Sequence, residues 1–174
     1  NMIEQIDSLS EIASAFSDFA KMPGSTPGKV DLYSIANQAI DLYEDTPGLT
    51  ISFRHEGNPP FNVKADRKQI LRMFNNLIRN SIQAIANIKD GRVDVKLLIE
   101  EGHYVVEISD NGVVITEDQA QKIFRPNFTT KTGGMGLGLA IVYNIVKNSG
   151  GEITFSSKPG AGTSFFVRLP VNSE

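Results

Sequence analysis

The sequence predicts an α+β sandwich in which helices cover one face of a mixed sheet. Two observations predict it. Apolar residues recur at helical spacing in some stretches and alternate with polar ones in others. The alternating stretches cluster late in the chain and are joined by short turns, so they pair antiparallel while helices interleave. At 174 residues and 40% hydrophobic, the chain holds enough apolar side chain for one domain with an appendage.

Residues 2–22 read as a helix. Ile6, Leu9, Ala13, Phe16 and Ala20 form an a/d seam, widened by Ile12 and Phe19. A short apolar helix of this kind needs a partner helix, in another part of the protein or in a second subunit; packing on its own domain is the alternative. Residues 23–30, PGSTPGKV, read as a linker. A helix follows from Asp31 as N-cap to about Glu44, burying Leu32, Ile35, Ala36, Ala39, Ile40 and Tyr43. Residues 50–57 alternate like a strand, Asn58-Pro59-Pro60 turns the chain, and Phe61-Asn62-Val63 is a short strand. Asp66 opens the longest helix, which ends near Lys89. Residues 92–99 and 104–109 form a strand pair around Glu101-Gly102. A short helix over 116–124 has Thr116 as its N-cap. After a Gly-rich loop, a helix runs to about Lys147 and stops at Ser149-Gly150-Gly151. Strands over 152–157 and 163–169 close the domain.

Several functions are disfavoured. A net charge of −3 argues against a nucleic-acid binder, which usually shows a basic patch. With no cysteine, there is neither a disulfide nor a Cys-ligated metal site. No signal peptide and no membrane-spanning apolar run is visible. The chain opens on Asn within a helical pattern and so reads as a piece of something longer.

Four stretches carry candidate chemistry. The most informative is NFTTKTGGMGLGLAIV, residues 127–142. A Gly-rich loop feeding a helix N-terminus offers free N–H groups and a positive dipole end, which suit phosphate; an ordinary surface loop is the bland alternative. On the long helix, Asn76 and Asn80 share a face, with Arg72, Arg79 and Gln83 on or near it. Two amides there give oxygen ligands for a hard cation such as Mg²⁺; alone, a solvated polar face explains them as well. Asp110-Asn111-Gly112 ends a strand, where a carboxylate can accept from an exocyclic amine and a glycine can turn close to a flat ligand. A plain Asp-Asn-Gly turn is the alternative. Last comes Gly160-Ala161-Gly162-Thr163, which also reads as a hairpin turn.

In this order the stretches resemble the catalytic ATP-binding domain of bacterial sensor histidine kinases, in the wider group shared with gyrase, Hsp90 and MutL. NLIRNSIQAI resembles the family's N box, SDNGVVI its first glycine box, IFRPNF the F box, GGMGLGLAIV the second glycine box and GAGTSFFVRLP the last. Residues 14–23, SAFSDFAKMP, resemble the end of the dimerisation and phosphotransfer helix. The NSIQAI and FSDFAKMP wording looks most like the nitrogen-regulation-type subgroup.

The resemblance implies a Bergerat-type fold: a mixed, mainly antiparallel sheet packed on three helices, preceded by an N-terminal helix. It implies domains over 1–22 (end of the dimerisation helix), 23–30 (linker) and 31–174 (ATP-binding). The cofactors would be ATP and Mg²⁺. Asp110 would accept from the adenine amino group, supported by Thr163. Asn80 would coordinate Mg²⁺, with Asn76 lining the same pocket. Gly112 and Ile115 would border the nucleotide, and Gln83 falls where many members carry a phosphate-reaching Lys. Gly134, Gly136, Leu137 and Gly138 would form the lid hinge and phosphate loop. Phe124 and Phe128 would anchor the lid, with Lys131 or Arg125 neutralising phosphate. The partners implied are the protein's own phosphoacceptor helix domain, a response regulator receiver domain and a second copy in a full-length homodimer, with no nucleic acid. The domain would be cytoplasmic, with room for an inner-membrane anchor in the full-length protein.

Two departures stand out. The first glycine box normally reads DNGxGI, and here Val114 stands at its second glycine. If that backbone needs φ > 0, a β-branched residue there is strained by about 1–3 kcal/mol; if φ stays negative, Val114 merely narrows the rim. The second departure is the acceptor: His55 and His103 fall on or beside strands, in no phosphoacceptor context. With Asn76 where gyrase-type members carry a Glu, ATP hydrolysis is expected to be negligible. A degenerate interaction module that binds nucleotide weakly is an alternative. An anti-sigma-factor-type Ser/Thr kinase on the same fold is another, against which the apolar helix at 2–22 argues.

Overall fold

The computed structural model describes residues 26–125 and 135–172, with only the helical backbone at 135–137. The expected helix over 2–22 lies outside these residues. Strand β1, Gly28–Asp31, leads into helix α1, Leu32–Asp41. Strands β2 (Thr50–His55) and β3 (Asn62–Ala65) precede helix α2, Arg67–Ala84. Strands β4 (Arg92–Glu100) and β5 (His103–Asp110) form a hairpin. The short helix α3 (Glu117–Ala120), helix α4 (Met135–Asn148) and strands β6 (Glu152–Lys158) and β7 (Gly162–Pro170) complete the order.

The main sheet runs β2-β4-β5-β7-β6. Only β2 and β4 pair in parallel; the other neighbours are antiparallel. This is the mixed, mainly antiparallel sheet that the sequence implied. Alternation decides its faces. Thr163, Phe165, Val167 and Leu169 of β7 turn inward, as do Val93, Val95 and Leu97 of β4. They meet Ile70, Phe74, Leu77 and Ile78 of α2 and Val142, Ile145 and Val146 of α4 in one apolar core. Helices α1, α2 and α4 thus cover one face.

Short-range chemistry sets the helix starts. Asp31 caps α1, its Oδ1 accepting from Tyr33 N at 3.0 Å, and also from Phe61 N at 2.8 Å. Asp66 caps α2 through Lys68 N and Gln69 N, while its Oδ2 accepts from Thr26 N, 3.0 Å away and 40 residues earlier. Thr116 and Gln119 make a capping box at α3. In the β4–β5 hairpin, Glu101 and Gly102 both take positive φ, as a two-residue turn with right-handed twist requires.

Three expectations need correction. The supposed linker ends in a strand, because β1 pairs antiparallel with β3 in a separate two-stranded sheet. Helix α2 stops at Ala84 rather than near Lys89, since Ile85 folds back to bury itself and its amide closes the last turn. Helix α4 begins at Met135, so Gly136, Leu137 and Gly138 belong to its first turns and not to a loop. The buried apolar run that follows them holds the helix, and it outweighs the roughly 1 kcal/mol that each helical glycine costs.

Candidate functional site

The site is built where the C-terminal half of α2 meets the ends of β5 and β7. Gly112 joins the two. A Cβ on Gly112 would stand 2.2 Å from the Ala84 carbonyl oxygen, so only glycine lets the loop rest on the end of α2. Val113 N donates to that same oxygen at 3.0 Å. Its close neighbour in this structure is thus helix backbone, which already requires a glycine at this position. Asn111 is also structural here. Its Oδ1 accepts from Arg92 N at 2.7 Å and its Nδ2 donates to Asp90 O at 3.1 Å.

Asp110 ends β5 and is 5% exposed. Its Oδ1 accepts from Gly112 N at 2.9 Å. Burial pushes its carboxyl above the usual range, and the Gly112 amide, the Ser81 hydroxyl and the Thr163 amide offset part of that rise. The Ser81 hydroxyl is buried with geometry short of a hydrogen bond, so it eases the charge by proximity. Thr163 faces Asp110 across β5 and β7. Gly162 must be glycine: its φ is +82°, and a Cβ there would meet the Asp110 carbonyl oxygen at 1.9 Å. The close packing of β7 on β5 thus brings Thr163 beside the carboxylate.

Helix α2 supplies the other wall. Asn76, Asn80 and Gln83 share one face. Asn80 is 8% exposed, and its Oδ1 makes no hydrogen bond. Asn76 Nδ2 is likewise buried and unbonded. Buried polar atoms are nearly always paired in folded proteins, so these two call for a partner, as do Gln69 Oε1, Asn75 Oδ1, Ser81 Oγ and Arg168 Nε. An unpaired amide oxygen fits a hard cation.

Val114 does not take the glycine conformation. Among the described residues, the non-glycine positions with positive φ are Asp90 and Glu101. The strain considered for Val114 is absent, and its partly buried side chain lies along the loop. Ile115 N donates to Ser157 Oγ at 2.8 Å, and the Ile115 side chain packs on the core. Phe124 packs against Tyr143, Phe155 and Phe165, with ring centroids 5.7–6.4 Å apart, which suits an anchor beneath a lid. Phe128, Lys131 and Gly134 lie outside the described residues. Of Gly136 and Leu137 only the backbone is described.

Asp110 and Thr163 therefore come together from β5 and β7, while Asn76, Asn80 and Gln83 lie on α2, which meets the end of β5 at Ser81 and Ala84. Two residues were missed in the sequence. Ser81 had a signal, as the small polar residue in an otherwise apolar helical face. Ser157 had none, because its contact spans 42 residues.

A model of the histidine kinase-, DNA gyrase B-, and HSP90-like ATPase family matches residues 65–173. The sensor histidine kinase ZraS of Escherichia coli (strain K12) is 34% identical over 173 residues, covering 98% of this chain and 37% of that protein. The chain thus spans well under half the length of that relative. The catalytic domain of histidine kinase ThkA superposes with a TM-score of 0.73 at 28% identity, covering 83% of this chain and 95% of that one. A structure of ThkA in complex with response regulator protein TrrA shares the fold, with a TM-score of 0.77 at 22% identity, over 96% of this chain and 49% of that one. Sensor histidine kinase is the level these names reach; they lend nothing to the nitrogen-regulation subgroup.

Proposed function

The chain belongs to the histidine kinase-, DNA gyrase B-, and HSP90-like ATPase family, and on that premise we propose that it is the ATP-binding catalytic part of a sensor histidine kinase. In the full-length protein it passes the ATP γ-phosphoryl group to a His on a helical domain outside this chain, and from there to a response regulator receiver domain. The kinase works as a homodimer, and this part of it acts in the cytoplasm, where ATP is held.

One observation carries the reading: Asn80 Oδ1 is buried and unbonded on α2, the helix whose Ser81 lies beside Asp110. Mg²⁺, when bound, would neutralise phosphate charge, and Asn80 would hold it with Asn76 alongside. Asp110, ionised, accepts the amino proton of adenine, and its Gly112 bond fixes the direction of its other oxygen. Thr163 completes the base end. Lys131, Gly134, Gly136, Leu137 and Gly138 belong to the phosphate side in this proposal, and Gln83 borders it without a charge. The rate of such a transfer depends on positioning and charge neutralisation rather than covalent chemistry by the domain.

Calorimetric titration with a non-hydrolysable ATP analogue, with and without Mg²⁺, tests the proposal. Micromolar binding that strengthens with Mg²⁺, and that loses about tenfold of the Mg²⁺-dependent affinity in Asn80→Ala, supports it. Absence of binding by the unmodified chain favours the interaction-module reading.

A further inference from the structure

The base end holds a hydrogen-bond relay that nucleotide binding as described does not use. Ile115 N donates to Ser157 Oγ at 2.8 Å, and Ser157 Oγ lies 2.7 Å from Thr163 Oγ1. Ser157 and Thr163 are cross-strand partners on β6 and β7, and Thr163 pairs in turn with Asp110. A hydroxyl has one proton and two acceptor sites. The Ile115 amide takes one acceptor site of Ser157. If Thr163 donates to Ser157, the Ser157 proton is left over and Thr163 has none to offer the pocket. If Ser157 donates to Thr163, its proton is used, and the Thr163 proton is free to be offered to the pocket. The second arrangement leaves the spare proton on the residue paired with Asp110, whose carboxylate already accepts from the Thr163 amide.

We propose that Ser157 is a positioning residue that fixes Thr163 as a hydrogen-bond donor and thereby sets the preference of the site for adenine over guanine. The inference rests on the nucleotide reading above. Asp110 accepts and Thr163 donates. Adenine presents an amino donor beside a ring-nitrogen acceptor, the complement of that pair. Guanine presents a carbonyl beside a ring N–H, the reverse of it. Without the Ser157 hydroxyl, Thr163 is free to rotate and can accept as readily as donate. The Ile115 amide also loses its partner, which loosens the loop that carries Val114.

The test is titration of the chain with ADP and with GDP, in the unmodified form, in Ser157→Ala and in Ser157→Thr. Melting without nucleotide is followed in parallel to check each fold. Ser157→Ala is expected to weaken ADP binding about tenfold, the scale of one lost hydrogen bond, and to shrink the ADP:GDP ratio. Ser157→Thr, which keeps the hydroxyl, restores the ratio. If Ser157→Ala does not fold, Ser157→Cys keeps the volume with a weak donor and carries the same expectation. An ADP:GDP ratio within about twofold of the unmodified chain overturns the inference alone, as does a Ser157→Thr variant that behaves like Ser157→Ala. An unmodified chain that binds neither nucleotide overturns the nucleotide reading and this inference together.

Discussion

At the strand end of the site, the Asp110 carboxylate is held by the Gly112 amide, Asn111 bridges Arg92 and Asp90, and the Ile115 amide ends on Ser157. On the α2 wall, the Asn80 carbonyl oxygen and the Asn76 amide nitrogen are equally shut from solvent and bond to nothing. The first wall is organised before any ligand arrives. The second keeps a deficit that a ligand can repay. A buried polar atom left unpaired costs about 1–3 kcal/mol, so on the proposed reading a ligand gains most on the helix side, while the strand side is already satisfied within the protein.

The sharpest way to break this contrast is Gly162→Ala. With φ at +82° and the Asp110 carbonyl 1.9 Å from a new Cβ, the junction of β7 and β5 must open. We expect a loss of about 3 kcal/mol, read as a fall of about 10 °C in melting temperature. Asp110→Asn tests function apart from stability. It removes a charge-assisted bond worth about 1.5–3 kcal/mol, so nucleotide affinity falls about 10–100-fold, while melting holds or rises because a buried charge is gone. Asn80→Ala separates the two in the same sense on the other wall. Mg²⁺-dependent affinity falls about tenfold, and the fold gains or keeps stability because the orphaned oxygen is removed.

Asp110 and Asp66 are shifted in opposite senses. Burial raises Asp110, so its ionisation costs folding stability, and acidification through its raised range relieves that cost while abolishing base recognition. Nucleotide binding should therefore weaken on acidification sooner than an ordinary carboxylate would allow, and affinity measured against pH checks this. Asp66 is lowered, first by the Thr26 amide, so it stabilises the fold above the ordinary carboxylate range and loses that effect as pH falls below it. Asp66→Asn should lower stability slightly at neutral pH and less in acid, because one of its two accepting oxygens becomes a donor, as denaturant melts at both conditions would read. The smallest effect is expected for Val114→Gly. With no positive φ to relieve, nucleotide affinity should stay within about threefold.

Much of this was legible in local sequence. Asp31, Asp66 and Thr116 announce their helices because a cap acts within a few residues. The alternation of Thr163-Ser164-Phe165-Phe166-Val167 announces β7 because strand faces have period two. Asn76 and Asn80 declare a shared face for the same kind of reason. The meaning of the glycines did not lie in local pattern. Gly112 and Gly162 both read as turns or ligand neighbours, and what the sequence did not show is that each also rests on backbone 28 and 52 residues away, at Ala84 and Asp110. Whether Val114 is strained or merely narrows the rim stayed open in the sequence, because its φ depends on where Gly112 and Ile115 are anchored, and those anchors are tertiary. The sequence by itself determined which elements form and which side chains share a face, since those follow from interactions within a turn or a strand. Only the tertiary structure decided which polar atoms are satisfied and which are left unpaired, because hydrogen-bond satisfaction in a buried site depends on groups brought together from distant parts of the chain.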